Sequence, residues 1–371
     1  MLDLTRHPRL LKMLSWFDRI KGFLNGRHAK GRTAEKNLGA FYARIWREAA
    51  THLGASIESL GHDVFEIRLG EVHTRVLQNF TGMDNLGTHC VVRAKPVIYR
   101  LMQRAGLPTP RFVDFDIQDL GPAVTFMENT GTDCVVKPAS GTGGGLGVTT
   151  GVRSRWQLAR AAFAAGSYGG SLLIEEQVKG ENYRLLYLDG KLIDAVIRRP
   201  PSVIGDGKSS IANLVEAVNS QRLRQDQFVS HDLLSVDMDM KHTLAKQGLS
   251  LRSVPAQGGV VFLKTVINQN SGVDNETATP LLCASVIADG ARAAALAGVR
   301  LAGVDVITTD PSRPLRDTGG VLLEVNSPPG YFWHYHKRDG AFPLAVHVLE
   351  CLLASPREQQ PVSCRAGSLV Q

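Results

Sequence analysis

Gly303-Val304-Asp305-Val306 and Leu323-Glu324-Val325-Asn326 are two apolar, strand-forming stretches that carry acids, and Asp310 to Thr318 between them reads as a Pro- and charge-rich hairpin loop. Residues two apart on a strand share a face, so Glu324 and Asn326 point the same way, with their apolar neighbours pointing the other. If the two strands pair, Asp305 joins them, and two acids and an amide converge. Unpaired buried carboxylates are costly. Either a hard cation such as magnesium, completed by waters and phosphate oxygens, accounts for them, or they form salt bridges to arginines.

Upstream, Val135-Val136-Lys137-Pro138 is followed by Ser140-Gly141-Thr142-Gly143-Gly144-Gly145-Leu146-Gly147. A lysine at the end of an apolar strand, before a loop of unhindered backbone amides, suits a polyphosphate. No Lys-Ser or Lys-Thr follows the glycines, and the Gly-x-Gly-x-x-Gly spacing fails at Leu146, so neither a Walker A loop nor a dinucleotide fingerprint is present. A flexible hairpin with a surface lysine is the bland alternative. Leu173-Ile174-Glu175-Glu176-Gln177-Val178 then runs into Lys179-Gly180-Glu181-Asn182, a strand that can offer backbone groups to an adenine edge and side chains to a ribose.

Around these motifs the pattern alternates. Helices are predicted over 34–53, 93–104, 154–165, 209–224, 280–298 and 342–353, and strands over 64–69, 111–115, 134–138, 148–151, 171–178, 183–188, 192–198, 260–263, 303–308 and 320–325. Asp189-Gly190 marks a tight hairpin. With 371 residues, 43% of them hydrophobic, the chain can divide into two or three packed units. A net charge of +7 favours anionic small molecules, yet no zinc spacing, basic tail or aromatic and basic strand motif points to nucleic acid.

Five scattered cysteines without a Cys-x-x-Cys pair read as reduced thiols, and no apolar run reaches the roughly 20 residues of a membrane span, so a cytoplasmic protein is expected. Leu10, Met13, Leu14, Phe17, Ile20 and Leu24 fall at helical spacing among basic residues, which predicts an amphipathic helix docked on its own domain or on a membrane surface.

Taken in this order, with Lys95 on the preceding helix, the motifs resemble the ATP-grasp superfamily, in particular the ATP-grasp region of cyanophycin synthetase and the related part of bifunctional glutathione synthetases. Arg198-Arg199-Pro200-Pro201-Ser202-Val203-Ile204-Gly205-Asp206-Gly207, Asn268-Gln269-Asn270-Ser271-Gly272 and Glu324-Val325-Asn326-Ser327-Pro328-Pro329-Gly330 carry the likeness, which covers 93–353. It implies an α/β (α+β) ATP-grasp fold over 93–355. The nucleotide would lie between a glycine-loop subdomain (120–205) and a metal-binding subdomain (206–355), with a small N-terminal α/β domain (1–92) before them and a disordered tail (356–371) after.

The resemblance further implies ATP and Mg2+, with Mn2+ as an alternative, and coupling of a small carboxylate to an amine through an acyl phosphate, the substrates being amino acids or peptides. Lys95 and Lys137 would hold phosphates under a mobile loop that includes Ser140, Gly141, Gly143, Gly144 and Gly145. Glu175, with the backbone of Glu176 and Val178, would hold adenine. The family's ribose acid falls at Asn182, so either Asn182 or Glu181 makes that contact. Asp305, Glu324 and Asn326 would bind the metal, and Arg184 and Asn268 would approach the phosphates.

Arg198 and Arg199 suit a substrate carboxylate. His334 and His336, in Tyr331-Phe332-Trp333-His334-Tyr335-His336, would either line the acceptor site or pack in an aromatic loop, and His231 resembles a family histidine. A second ATP-dependent domain found in cyanophycin synthetase is not expected, nor the two-step polymerisation it serves. An ATP-grasp kinase acting on an alcohol and a non-catalytic ATP-binding module are the competing readings, and a homodimer is one option for assembly.

Overall fold

The computed structural model describes residues 9, 12–14, 27–142, 145–224, 233–265, 267 and 275–354. The tail and all but 12–14 of the basic amphipathic stretch lie outside them, as do Gly143, Gly144, His231 and the Asn268–Gly272 loop. The first long element is the helix Arg27–His52, on which Phe41, Tyr42, Ile45, Trp46, Ala49 and Ala50 recur at three- and four-residue steps and form one buried stripe. A meander follows: β1 (Ser56–Gly61), β2 (Val64–Leu69) and β3 (Val72–Leu77), paired antiparallel in that order. Phe65, Ile67 and Val76 from this meander join the helix stripe, Tyr331 to Trp333 and the helix Leu344–Ala354 in one core. The first unit thus shares its core with residues 331–333 and the helix Leu344–Ala354.

Next come the helix Lys95–Arg104 and strands β4 (Phe112–Asp116), β5 (Cys134–Pro138), β6 (Thr149–Val152) and β7 (Ser171–Glu176), forming an antiparallel sheet of order β4-β7-β5-β6. Helices Gly121–Thr130 and Arg155–Gly166 cover it. The second is opened by a capping box between Ser154 and Gln157, and its Ala159, Ala161, Ala162 and Ala165 allow a close approach to the sheet.

A second antiparallel sheet contains β8 (Glu181–Leu188) and β9 (Lys191–Arg198), β12 (Asn275–Thr277), β13 (Leu301–Thr308) and β14 (Val321–Asn326), in the order β12-β9-β8-β13-β14. At the β8–β9 hairpin Asp189 and Gly190 both have positive φ, 49° and 76°, as the predicted tight turn requires. Helices Lys95–Arg104 and Ala284–Leu296 pack on one face. The latter starts later than predicted, because Thr279–Leu281 forms a separate turn and Leu282 and Cys283 are extended. Between β9 and β12 a smaller unit pairs β10 (Ser202–Ile204) with β11 (Val260–Phe262) over helices Ile211–Arg224 and Met238–Lys246.

Trp46 is fully buried and its Nε1–H donates to the Gln78 carbonyl at 2.8 Å. Trp46→Ala should lower unfolding stability by about 3–5 kcal/mol in urea titrations, because it opens a cavity in the shared core and orphans that carbonyl. A loss under about 1 kcal/mol would show that the first unit is not integral to the core.

Candidate active site

A cavity of about 780 Å³ lies between the two larger sheets and is closed on a third side by the β10–β11 unit. Its position follows from strand ends: β5 brings Lys137, β7 runs out through Glu175 and Glu176 to Lys179, and β13 and β14 bring Asp305 and Glu324. Asp305 and Glu324 are direct partners in the β13–β14 ladder. Immediately beyond them the register slips by one residue, leaving Leu323 as an extra residue that lines the cavity beside Glu324.

Each of these acids meets a cation. Arg184, opposite Asp305 on β8, binds both its carboxylate oxygens: Nε donates to Oδ1, and Nη2 donates to Oδ2 at 2.8 Å. Lys95 Nζ lies 3.2 Å from Glu324 Oε1 and also donates to the Thr142 carbonyl of the glycine loop at 3.3 Å. Asn326 Nδ2 reaches the Gly303 carbonyl at 3.3 Å and Asp305 Oδ2 at 3.4 Å. Burial disfavours the Arg184 charge, but the attraction and hydrogen bonds of Asp305 outweigh it, so the guanidinium stays ionised.

Deeper in, Lys137 Nζ donates to Glu175 Oε1 at 2.7 Å and to the Tyr99 hydroxyl at 3.2 Å, and Tyr99 donates to Glu175 Oε2 at 2.8 Å. All three are buried. Burial, reinforced by the Glu175 carboxylate, pushes the Tyr99 phenol well above its usual range and keeps it a neutral donor. Glu175 therefore lines the cavity with its carboxylate already committed. Its first task is to fix Lys137.

The structure gathers most of the residues singled out in the sequence. Lys95, Lys137, Gly145, Glu175, Glu176, Val178, Glu181, Asn182, Arg198, Arg199, Asp305 and Glu324 line the cavity. Arg184 and Asn326 reach it through Asp305, whereas Ser140 and Gly141 are outside the lining. Gly147 (φ 76°) could not be replaced, since a Cβ there would come within 2.9 Å of Tyr168 and 3.0 Å of Pro138. Arg199 pairs with Glu276 at 3.1 Å.

Three contributors escaped the sequence reading. Tyr99 was within reach, one turn after Lys95 on the same helix face. Asp239 was not: buried, it accepts from Thr150 Oγ1, Thr265 N and Thr265 Oγ1 at 2.9, 3.0 and 2.6 Å, tying β6 to the chain beyond β11 across long sequence separations. Lys264, which lines the cavity, is likewise buried, with Nζ held by Asp237 at 2.5 Å and Ser235 at 2.8 Å.

The histidines take the packed alternative. His336 packs against Phe332 with tilted rings and centroids 4.2 Å apart, and His334 is fully buried with Nδ1 2.7 Å from Asp194 Oδ2, which Lys337 also contacts.

The fold is that of the ATP-grasp ligases, and the chain resembles members of that superfamily. Within it, the chain is 32% identical over 318 residues to cyanophycin synthetase of Trichormus variabilis, an alignment covering 80% of this chain and 34% of that one. It is 29% identical over 284 residues to the glutathione biosynthesis bifunctional protein of Enterococcus faecalis, covering 74% and 37%. The crystal structure of a bifunctional glutathione synthetase from Pasteurella multocida superposes with a TM-score of 0.51 at 25% identity, over 81% of this chain and 42% of that one. The chain therefore spans about a third of the length of the curated relatives it matches. No family model matches it. Among the described residues no helix is long and apolar enough to cross a membrane.

Burial holds the His334 pKa below the ordinary histidine value of 6.5, against the opposing pull of Asp194. The unfolded chain therefore takes up this proton first, so the contribution of neutral His334 is complete above pH 6.5 and is lost as pH falls below it. His336, lowered by burial too, acts in the same sense. His334→Gln should reduce, without abolishing, the fall in urea-unfolding stability between about pH 7 and 5. An unchanged slope would contradict the assignment.

Proposed function

We propose that the chain is an ATP-dependent carboxylate–amine ligase that activates an amino-acid or peptide carboxylate as an acyl phosphate and couples it to an amine, releasing ADP and phosphate. The observation that carries this reading is the pair of neighbouring ion pairs on the cavity wall, Lys95–Glu324 and Arg184–Asp305. They place hard oxygen donors and phosphate-seeking cations side by side.

The donor set fits magnesium. Asp305, Glu324 and the Asn326 amide offer only part of a coordination sphere, and among the described residues no three His, Cys, Asp or Glu groups converge into a protein-only cage. That is the arrangement expected where phosphate oxygens and water complete the octahedron. Manganese shares the preference for oxygen. Bound magnesium would neutralise the triphosphate and the charge that builds on the transferring group.

In this reading Lys95 and Arg184 exchange their carboxylate partners for phosphate oxygens, and Lys137, held by Glu175 and Tyr99, supplies a fixed positive charge below. Asn268 would join them at the phosphates. Val135, Ile307 and Leu323 offer apolar walls to adenine, with the backbone of Glu176 and Val178 at its edge and Glu181 or Asn182 at the ribose. The loop from Ser140 to Gly147 would cover the phosphates and shield the acyl phosphate from water. Positioning supplies most of the rate, and no protein nucleophile is needed.

Glu324→Gln, which keeps the shape and leaves Lys95 its Thr142 contact, should reduce ADP release by a factor on the order of a hundred or more, with the circular dichroism spectrum unchanged. In the wild type, ADP release should require a carboxylate and an amine together, and the product mass should equal their sum less one water. Release with an alcohol alone, or full activity in the variant, would sink the proposal.

A further inference from the structure

Arg198 and Arg199 end β9 side by side, but their surroundings differ. Arg199 is exposed and shares Glu276 with Arg338, at 3.1 and 2.7 Å. Arg198 is 2% exposed, lines the cavity and lies with Cζ 4.5 Å above the Trp333 ring, while Nη2 donates to the Ile267 carbonyl at 3.3 Å. Trp333 is held in turn. Phe332 meets it edge-on at 5.3 Å, and Phe41 of the first helix meets Phe332 at 5.9 Å. A series of aromatic contacts therefore runs from the N-terminal unit to a guanidinium on the cavity wall.

We propose that Trp333 is a positioning residue for Arg198: its indole face, braced by Phe332 and Phe41, holds the guanidinium flat and in one orientation at the subsite for a substrate carboxylate. The naming of that subsite rests on the ligase reading above; the stack itself does not. A guanidinium on a long side chain loses several rotatable bonds when it binds. A π face that attracts it in a desolvated setting removes most of that freedom beforehand. Trp333 is predicted to touch no substrate, so its effect should pass entirely through Arg198.

The test combines chemical labelling with kinetics on Trp333→Leu and Trp333→Phe. Under native conditions phenylglyoxal modification of each arginine would be followed by peptide mass spectrometry, with Arg199 as the internal control. Loss of the stack in Trp333→Leu should speed labelling of Arg198 by about tenfold, while Trp333→Phe, which keeps a π face, stays near wild type. Arg199 should label equally in all three proteins. In initial-rate assays Trp333→Leu should raise KM for the carboxylate substrate and leave KM for MgATP unchanged, and adding Arg198→Lys should cause little further loss.

Unchanged Arg198 labelling in Trp333→Leu would overturn the proposal. So would a parallel rise at Arg199, which would signal general loosening, or equal behaviour of the Leu and Phe variants. Should the wild type form no amide from any acid and amine, the ligase reading fails while the labelling result still decides the role of Trp333.

Discussion

Two carboxylates set into a sheet facing a cavity cannot stand alone, and the rest of the architecture follows from how they are balanced. Asp305 and Glu324 are cross-strand neighbours, so their charges would repel in a partly desolvated place. Arg184 comes from the adjacent strand and Lys95 from the helix behind. Lys95 also holds the Thr142 carbonyl, so one ammonium joins the acidic wall to the glycine loop. Buried ion pairs of this kind add little net stability, because desolvation offsets the attraction. Under the proposed function their value is poise: a triphosphate with its cation would replace both halves of each pair at once.

The second cluster works differently. Lys137, Glu175 and Tyr99 are buried, and the ammonium, both carboxylate oxygens and the phenol hydroxyl each have a partner within the cluster. Such a network fixes a charge in place. Lys95 thus bridges the acidic wall and the glycine loop, whereas Lys137 is held within one buried cluster, a difference that the linear sequence does not reveal.

Much of this was legible in the sequence, for reasons that can be named. Strands such as Val64–Leu69 and Cys134–Pro138 are bounded by turn residues and emerge where the pattern places them. The pairing of Asp305 with Glu324 follows from a hairpin whose loop is marked by Pro and Asp. What could not be read is contact between distant segments. Nothing local in Asp239 announces Thr150 or Thr265, and nothing in Phe41 announces Phe332. The fate of the Tyr331–His336 run is the clearest case: its composition suits a binding wall or a core, and only the neighbours decide. The helix stripe Phe41–Ala50 claims Phe332 and His336 for the core, leaving the Trp333 face for Arg198.

The central claim is that a carboxylate is activated through its own oxygen. With both oxygens of the acid substrate labelled as 18O, turnover with unlabelled MgATP and amine in ordinary water should deliver one labelled oxygen to each inorganic phosphate released, leaving the other in the amide. Phosphate free of label, formed at the same rate as product, would show that no acyl phosphate lies on the path and would contradict the account.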